Sequence, residues 1–195
     1  MGALYYRIEG AEVEMMKESN LRVLTYKKIP FGGKTPQVQA TFVAPNCFLI
    51  GDVVLKEGSS VWFGSTLRGD LTTCQIGKGS VVMEHSFVEN AIIGDQTMLS
   101  HGVIAHQCKI GDNVLVGIGA RVINGAEIGD NSLIGAGAFI LSNIKIPPNS
   151  VVIDKGTVLR TIEEKDIRYI RESVKTVQEK ARALKEFFEK ELVRK

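Results

Sequence analysis

This chain is short of what most function classes need. Its 24 lysines and arginines against 22 acidic residues leave a formal charge of +2, which gives no basic surface for nucleic acid or an anionic membrane. No apolar run is long enough to span a bilayer, and no secretory signal heads the sequence. Cys47, Cys74 and Cys108 are the three cysteines; they are widely spaced and lack a CxxC, which excludes a disulfide framework and a cysteine zinc knuckle. A reducing, cytoplasmic setting is the expectation. Histidine is equally scarce: His85, His101 and His106 are the three present.

What is present is a repeat. Apolar residues recur every six positions at Val43, Leu49, Leu55, Val61 and Leu67. A nine-residue step leads to Ile76, Val82 and Val88, a five-residue step to Ile93, Leu99 and Ala105, and another to Ile110. From there the six-residue rhythm runs unbroken through Val116, Val122, Ile128, Ile134, Ile140 and Ile146 to Val152. Four residues after each anchor stands a small or β-branched residue, among them Cys47, Ser59, Ser65, Ser80, Ser86, Thr97, Val103 and Ala120. Neither a helix nor a hairpin sheet has this period. A short strand followed by a tight corner does: a large residue points inward, a small one sits in the corner, and glycine relaxes the backbone between them. Three such units close one triangular coil, and about six coils stack as parallel strands ~4.8 Å apart. The reading is an all-β solenoid over residues 38–160. Residues 1–37 form an N-terminal arm, helical or extended, and residues 161–195 a long C-terminal α-helix. In that helix Ile167, Ile170, Val174, Val177, Ala181, Leu184 and Phe188 recur at threes and fours, and Thr161, Glu163, Glu164 and Asp166 suit its start. Packing of this stripe on the chain's own solenoid is favoured over pairing with a neighbour.

The register converts into neighbours in space. Residues following the anchors Leu67, Val88 and Ala105 are Arg68, Glu89 and His106, which should stack in one outward-facing column. Residues two beyond Val61, Val82 and Leu99 are Phe63, Glu84 and His101, a second column on another face. Glu89 therefore lies one rung below His106, close enough for both to hold one ion. His101 cannot easily join them within one chain, but it can meet such an ion across a subunit interface, three times over in a closed trimer. The competing partner for Glu89 is Arg68 on the rung below, which would leave the site metal-free.

Two strings make the pattern specific: "VWFGSTLRGD", and "HGVIAHQCKIGDNVLVGIGA" with its two histidines. Over about residues 30–190 the chain resembles the γ-class carbonic anhydrase-like family. The resemblance implies a left-handed parallel β-helix, a homotrimer, and a zinc or other divalent ion such as Fe2+ or Co2+ held by three histidines between subunits. It implies reversible hydration of CO2 to bicarbonate, the ion bringing water to ionise near neutral pH. His101 and His106 match two of the family's ligands. Arg68 and Asp70 match a catalytic-site salt-bridge set between subunits, with Glu84 in the place of the family's aspartate.

The third ligand departs from the family. It normally ends a segment of the form NIQDGxxLH, and the matching stretch here is "VVMEHSFVE". There Val81 and Met83 replace the two polar residues, His85 falls on the glycine, and Glu89 falls on the histidine. The expected set is thus His106 and Glu89 from one chain with His101 from the next, His85 being the alternative third ligand. A carboxylate ligand leaves bound water less acidic than an imidazole does, so slow hydration is expected. An enzyme, a carbonic anhydrase-like lyase, is the favoured reading. The alternatives are a non-catalytic trimeric metal-binding or scaffold protein, and a hexapeptide acyltransferase using one histidine as general base.

Overall fold

The computed structural model describes residues 26–193, with side chains to residue 190. Its body is a left-handed parallel β-helix of about seven turns, one more than the period alone suggests. The first face stacks seven short strands: Phe42–Val43, Ser60–Val61, Val81–Val82, Met98–Leu99, Leu115–Val116, Leu133–Ile134 and Ser150–Ile153. The second and third faces form one continuous sheet, because the strands Phe48–Leu55 and Thr66–Ile76 run around the corner between them. The additional turn begins before residue 38. Lys27–Ile29 pairs in parallel with Phe48–Ile50, and Gln37–Val38 with Val54–Leu55. Lys28 stands opposite the anchor Leu49, and it is exposed, so a search for apolar sixes passes over this rung. Residues 1–25 of the N-terminal arm lie outside the described residues.

The inward anchors are almost entirely closed to solvent: Leu49, Leu67, Ile76, Val82, Val88, Leu99, Ala105, Val122 and Ile140 are all at 0% exposure. Each buried aliphatic side chain of this size contributes roughly 1.5–3 kcal/mol. The corner residues are as deeply buried, and their hydroxyls tie one coil to the next. Ser65 Oγ donates to Met83 O at 2.9 Å and accepts from Ser86 N at 3.2 Å; Ser86 Oγ repeats the pattern with Ser100 O and Val103 N. A small residue is needed at each corner, and a hydroxyl there satisfies backbone groups that would otherwise be orphaned.

After the last coil, Thr157–Thr161 turns back antiparallel on Ser150–Ile153. The helix Glu164–Val193 then returns along the first face. It starts with a capping arrangement in which Asp166 Oδ2 accepts from Glu163 N at 2.8 Å and the same carboxylate takes two hydrogen bonds from Arg160. Ile170, Val174, Val177 and Ala181 are buried, as are the outward residues of the face they cover, Val81, Met98 and Leu115. Phe188 stacks on Phe42 at 6.1 Å and lies 6.5 Å from Phe63. The helix therefore packs on its own solenoid, and Phe63 belongs to that aromatic cluster; the buried Trp62 meets Phe42 edge-on at 5.8 Å.

Candidate functional site

The site sits where the repeat slips. Between Leu67 and Ile76 the chain carries three residues more than one repeat, and these project as a corner loop at Leu71–Thr73. The next two coils each lose one residue between the second and third faces, so Asn90 and Gln107 turn the corner alone with positive φ of 48° and 49°. Asn90 occupies the space beneath the loop: its Oδ1 accepts from Leu71 N at 3.1 Å and Thr72 N at 2.9 Å, and its Nδ2 donates to Asp70 Oδ1 at 2.8 Å. That last bond holds the Asp70 carboxyl below the ordinary carboxylate range. A cavity of about 660 Å³ opens under the loop, lined in part by Leu71, Asn90, Gln107 and Lys109.

On the second face Arg68, Glu89 and His106 are cross-strand partners in one column, as the register requires. Glu89 is nearly closed off, with 6% exposure, and its two oxygens are divided. Oε1 lies 2.7 Å from Arg68 Nη2, and this hydrogen bond pushes the Arg68 guanidinium above its ordinary range. Oε2 lies 3.3 Å from His106 Nε2. Arg68 does not leave Glu89 for other partners within the chain; it takes one oxygen of Glu89 and also sits 3.2 Å from Asp70 Oδ2. The two candidate partners of Glu89 therefore coexist, one on each oxygen.

On the other column Glu84 Oε2 is 2.8 Å from His101 Nδ1. The contact is within ion-pair range but out of line for a hydrogen bond, and the His101 side chain is half exposed. Glu84 meets His101 and not Arg68, so within one chain the expected salt-bridge set is split between two columns. His85 turns the corner between the first and second faces at φ 58°, its ring lying against Gly64. It sits beside the Glu84–His101 column and is exposed. Val81 and Met83 are buried, with Val81 under the C-terminal helix, so both positions serve packing. Burial pushes the Cys74 and Cys108 thiols up to about 12, which keeps both protonated near neutral pH.

A divalent ion fits this arrangement as half of a site. Two ligand atoms of a tetrahedral ion with bonds of 2.0–2.1 Å are separated by about 3.3 Å, and His106 Nε2 and Glu89 Oε2 stand 3.3 Å apart. Among the described residues no group of three or more His, Cys, Asp or Glu side chains converges within one chain. The residue that sequence reasoning missed is Asn124: its Oδ1 is 3.1 Å from His106 Nδ1, on the far side of the ring from Glu89. Its signal in the sequence is one of place alone, two residues past the anchor Val122 and beside Gln107 on the next coil.

Residues 107–142 match the bacterial transferase hexapeptide (six repeats) family. The chain is 36% identical over 104 residues to gamma carbonic anhydrase 1, mitochondrial, of Arabidopsis thaliana, a match covering 47% of this chain and 38% of that one. It is 35% identical over 104 residues to a carbonic anhydrase of Geobacillus kaustophilus, covering 50% of this chain and 57% of that one. The match therefore spans less than two thirds of each of these relatives. Among solved structures, a Bacillus cereus protein provisionally described as an acetyltransferase superposes with a TM-score of 0.77 at 28% identity, covering 84% of this chain and 99% of that one.

Proposed function

We propose, from the chain's likeness to γ-class carbonic anhydrases and its hexapeptide repeat, that it hydrates CO2 reversibly at a divalent-metal site completed between subunits of a trimer. The observation that carries this reading is the approach of His106 Nε2 to Glu89 Oε2 at 3.3 Å on an accessible face. Glu89 and His106 hold the ion from one side, and His101 of a second copy supplies the third ligand.

A bound divalent cation supplies Lewis acidity that brings the pKa of water toward neutrality. The chain's own residues set how far that goes. Arg68 fixes the Glu89 carboxylate through Oε1 and draws negative charge away from Oε2, which partly offsets the extra electron donation of a carboxylate over an imidazole. Asp70, itself held by Asn90, lies against Arg68 from behind. Hydration slower than at a three-histidine site is the consequence.

Metal analysis of the purified protein with stopped-flow CO2 hydration tests the reading. Bound metal at up to one equivalent per chain with measurable hydration supports it. Bound metal without hydration reduces it to a metal-binding scaffold. The superposition on the Bacillus cereus protein favours one second reading, acyl transfer from coenzyme A. Thermal stabilisation by coenzyme A, with no metal bound, would establish that reading instead.

A further inference from the structure

We propose that Asn124 is a positioning residue that fixes the proton of neutral His106 on Nδ1, so that Nε2 presents its lone pair to Glu89. The proposal rests on the metal-site reading for its purpose, and on hydrogen-bond geometry for its substance.

A neutral imidazole carries one N–H and one lone pair. His106 Nδ1 faces Asn124 Oδ1 at 3.1 Å, and a carboxamide oxygen only accepts. The orientation of that amide is held from its other end, where Asn124 Nδ2 donates to Gln107 Oε1 at 2.8 Å. The backbone around it is locked as well: Asn143 N donates to Asn124 O at 2.9 Å, and Gly125 N donates to Gln107 O at 2.7 Å. With the two amides in this orientation, neutral His106 carries its hydrogen on Nδ1, and Nε2 is left bare.

Bare Nε2 then meets Glu89 Oε2, another acceptor, at 3.3 Å. Two acceptors at this distance repel unless something positive lies between them. Arg68 is already committed to the other oxygen of Glu89. The pair is thus arranged to share a positive group, a second ring proton or a bound metal ion, and Asn124 sets the tautomer that leaves that place open. A metal-ligating histidine needs its second nitrogen held in this way, and loss of such a partner typically costs 10–100-fold in metal affinity. Asn124 is itself exposed, so little of the fold's stability depends on it.

The test is nitrogen-15 NMR of the histidine rings in metal-free full-length protein at pH 9, combined with Zn2+ titration. Wild type should show His106 protonated on Nδ1. Asn124→Leu should shift the proton toward Nε2, where Glu89 accepts it, and weaken Zn2+ binding 10–100-fold with an unchanged melting temperature. Asn124→Asp keeps the acceptor and should keep both the tautomer and the affinity within about threefold. A wild-type proton on Nε2, or an Asn124→Leu ring unchanged in tautomer, overturns the proposal. If wild type binds no Zn2+ yet the tautomer responds to Asn124→Leu, the positioning role stands and the metal reading falls.

Discussion

The solenoid has two regions that obey the same rule with different strictness. From Ile110 to Val152 every step is six residues, and each face repeats without interruption. From Leu67 to Ile110 the steps run nine, six, six, five, six, six and five. All three histidines, Glu84, Glu89, Arg68 and the projecting loop lie in this uneven region or begin it. The anchors of both regions are equally buried, so the irregularity is confined to corners and leaves the core intact. A longer corner supplies the loop, shorter corners make room beneath it, and the side chains beside those corners are the ones with unusual partners. The even coils are regular support; the uneven ones hold the candidate site.

Place in the repeat has to be separated from region, because a methyl group added beside an anchor should cost more than one added at a corner. A Cβ at Gly117, in the even coils, would come within 2.5 Å of Ala136 N and 2.7 Å of Gly135 C, both backbone of the coil above. Gly117→Ala should destabilise by about 3 kcal/mol. Gly102, in the uneven coils, has φ +66° but nothing within 4 Å of an added Cβ. Gly102→Ala should cost only about 1 kcal/mol, the left-handed backbone alone. Chemical denaturation of both variants checks the ordering, and equal losses would erase the distinction.

Arg68→Met should come next, at about 2 kcal/mol, because the buried Glu89 carboxylate loses its charged partner and Oε1 keeps only the 3.4 Å contact from Asn90 Nδ2. Adding Glu89→Gln should restore part of the loss, and urea melts of the single and double variants measure it. Glu89→His should strengthen Zn2+ binding roughly tenfold, or about 1.4 kcal/mol, by rebuilding a three-histidine set; isothermal titration reads it. The smallest effect belongs to the helix start. Arg160 holds the Asp166 carboxyl down to about 2, below its unfolded value, so its contribution is complete above pH 4 and is lost as pH falls toward 2. Asp166→Asn should cost about 1 kcal/mol at pH 7, and the difference from wild type should vanish between pH 4 and 2 in thermal melts followed by circular dichroism.

The same division decides what was legible in the residues. Counting in sixes located every inward anchor from Leu49 to Val152, because burial of one residue per strand is a requirement that each coil repeats. It also put Arg68, Glu89 and His106 in one column, since cross-strand neighbours follow from register alone. It missed the first turn, where Lys28 occupies an anchor's position, because a terminal coil has less core to fill. It also left the choice between Arg68 and His106 as partners of Glu89 open, because register fixes which residues are neighbours and not which oxygen each one takes. Asn124 was out of reach for the same reason. Its role lies in the direction of an amide, and nothing in a repeat fixes that except the neighbours on either side.

On the proposed reading, one ion is held by Glu89 and His106 of one copy and His101 of another copy in a trimer. Co-refolding two inactive variants tests it directly. Neither His101→Ala nor His106→Ala alone should hold Zn2+ in stoichiometric amounts. Mixed trimers of the two contain an intact seam, so metal binding should return in the mixture and survive gel filtration with the trimer. Stoichiometric Zn2+ in either variant alone, or a mixture as empty as its components, would contradict the account.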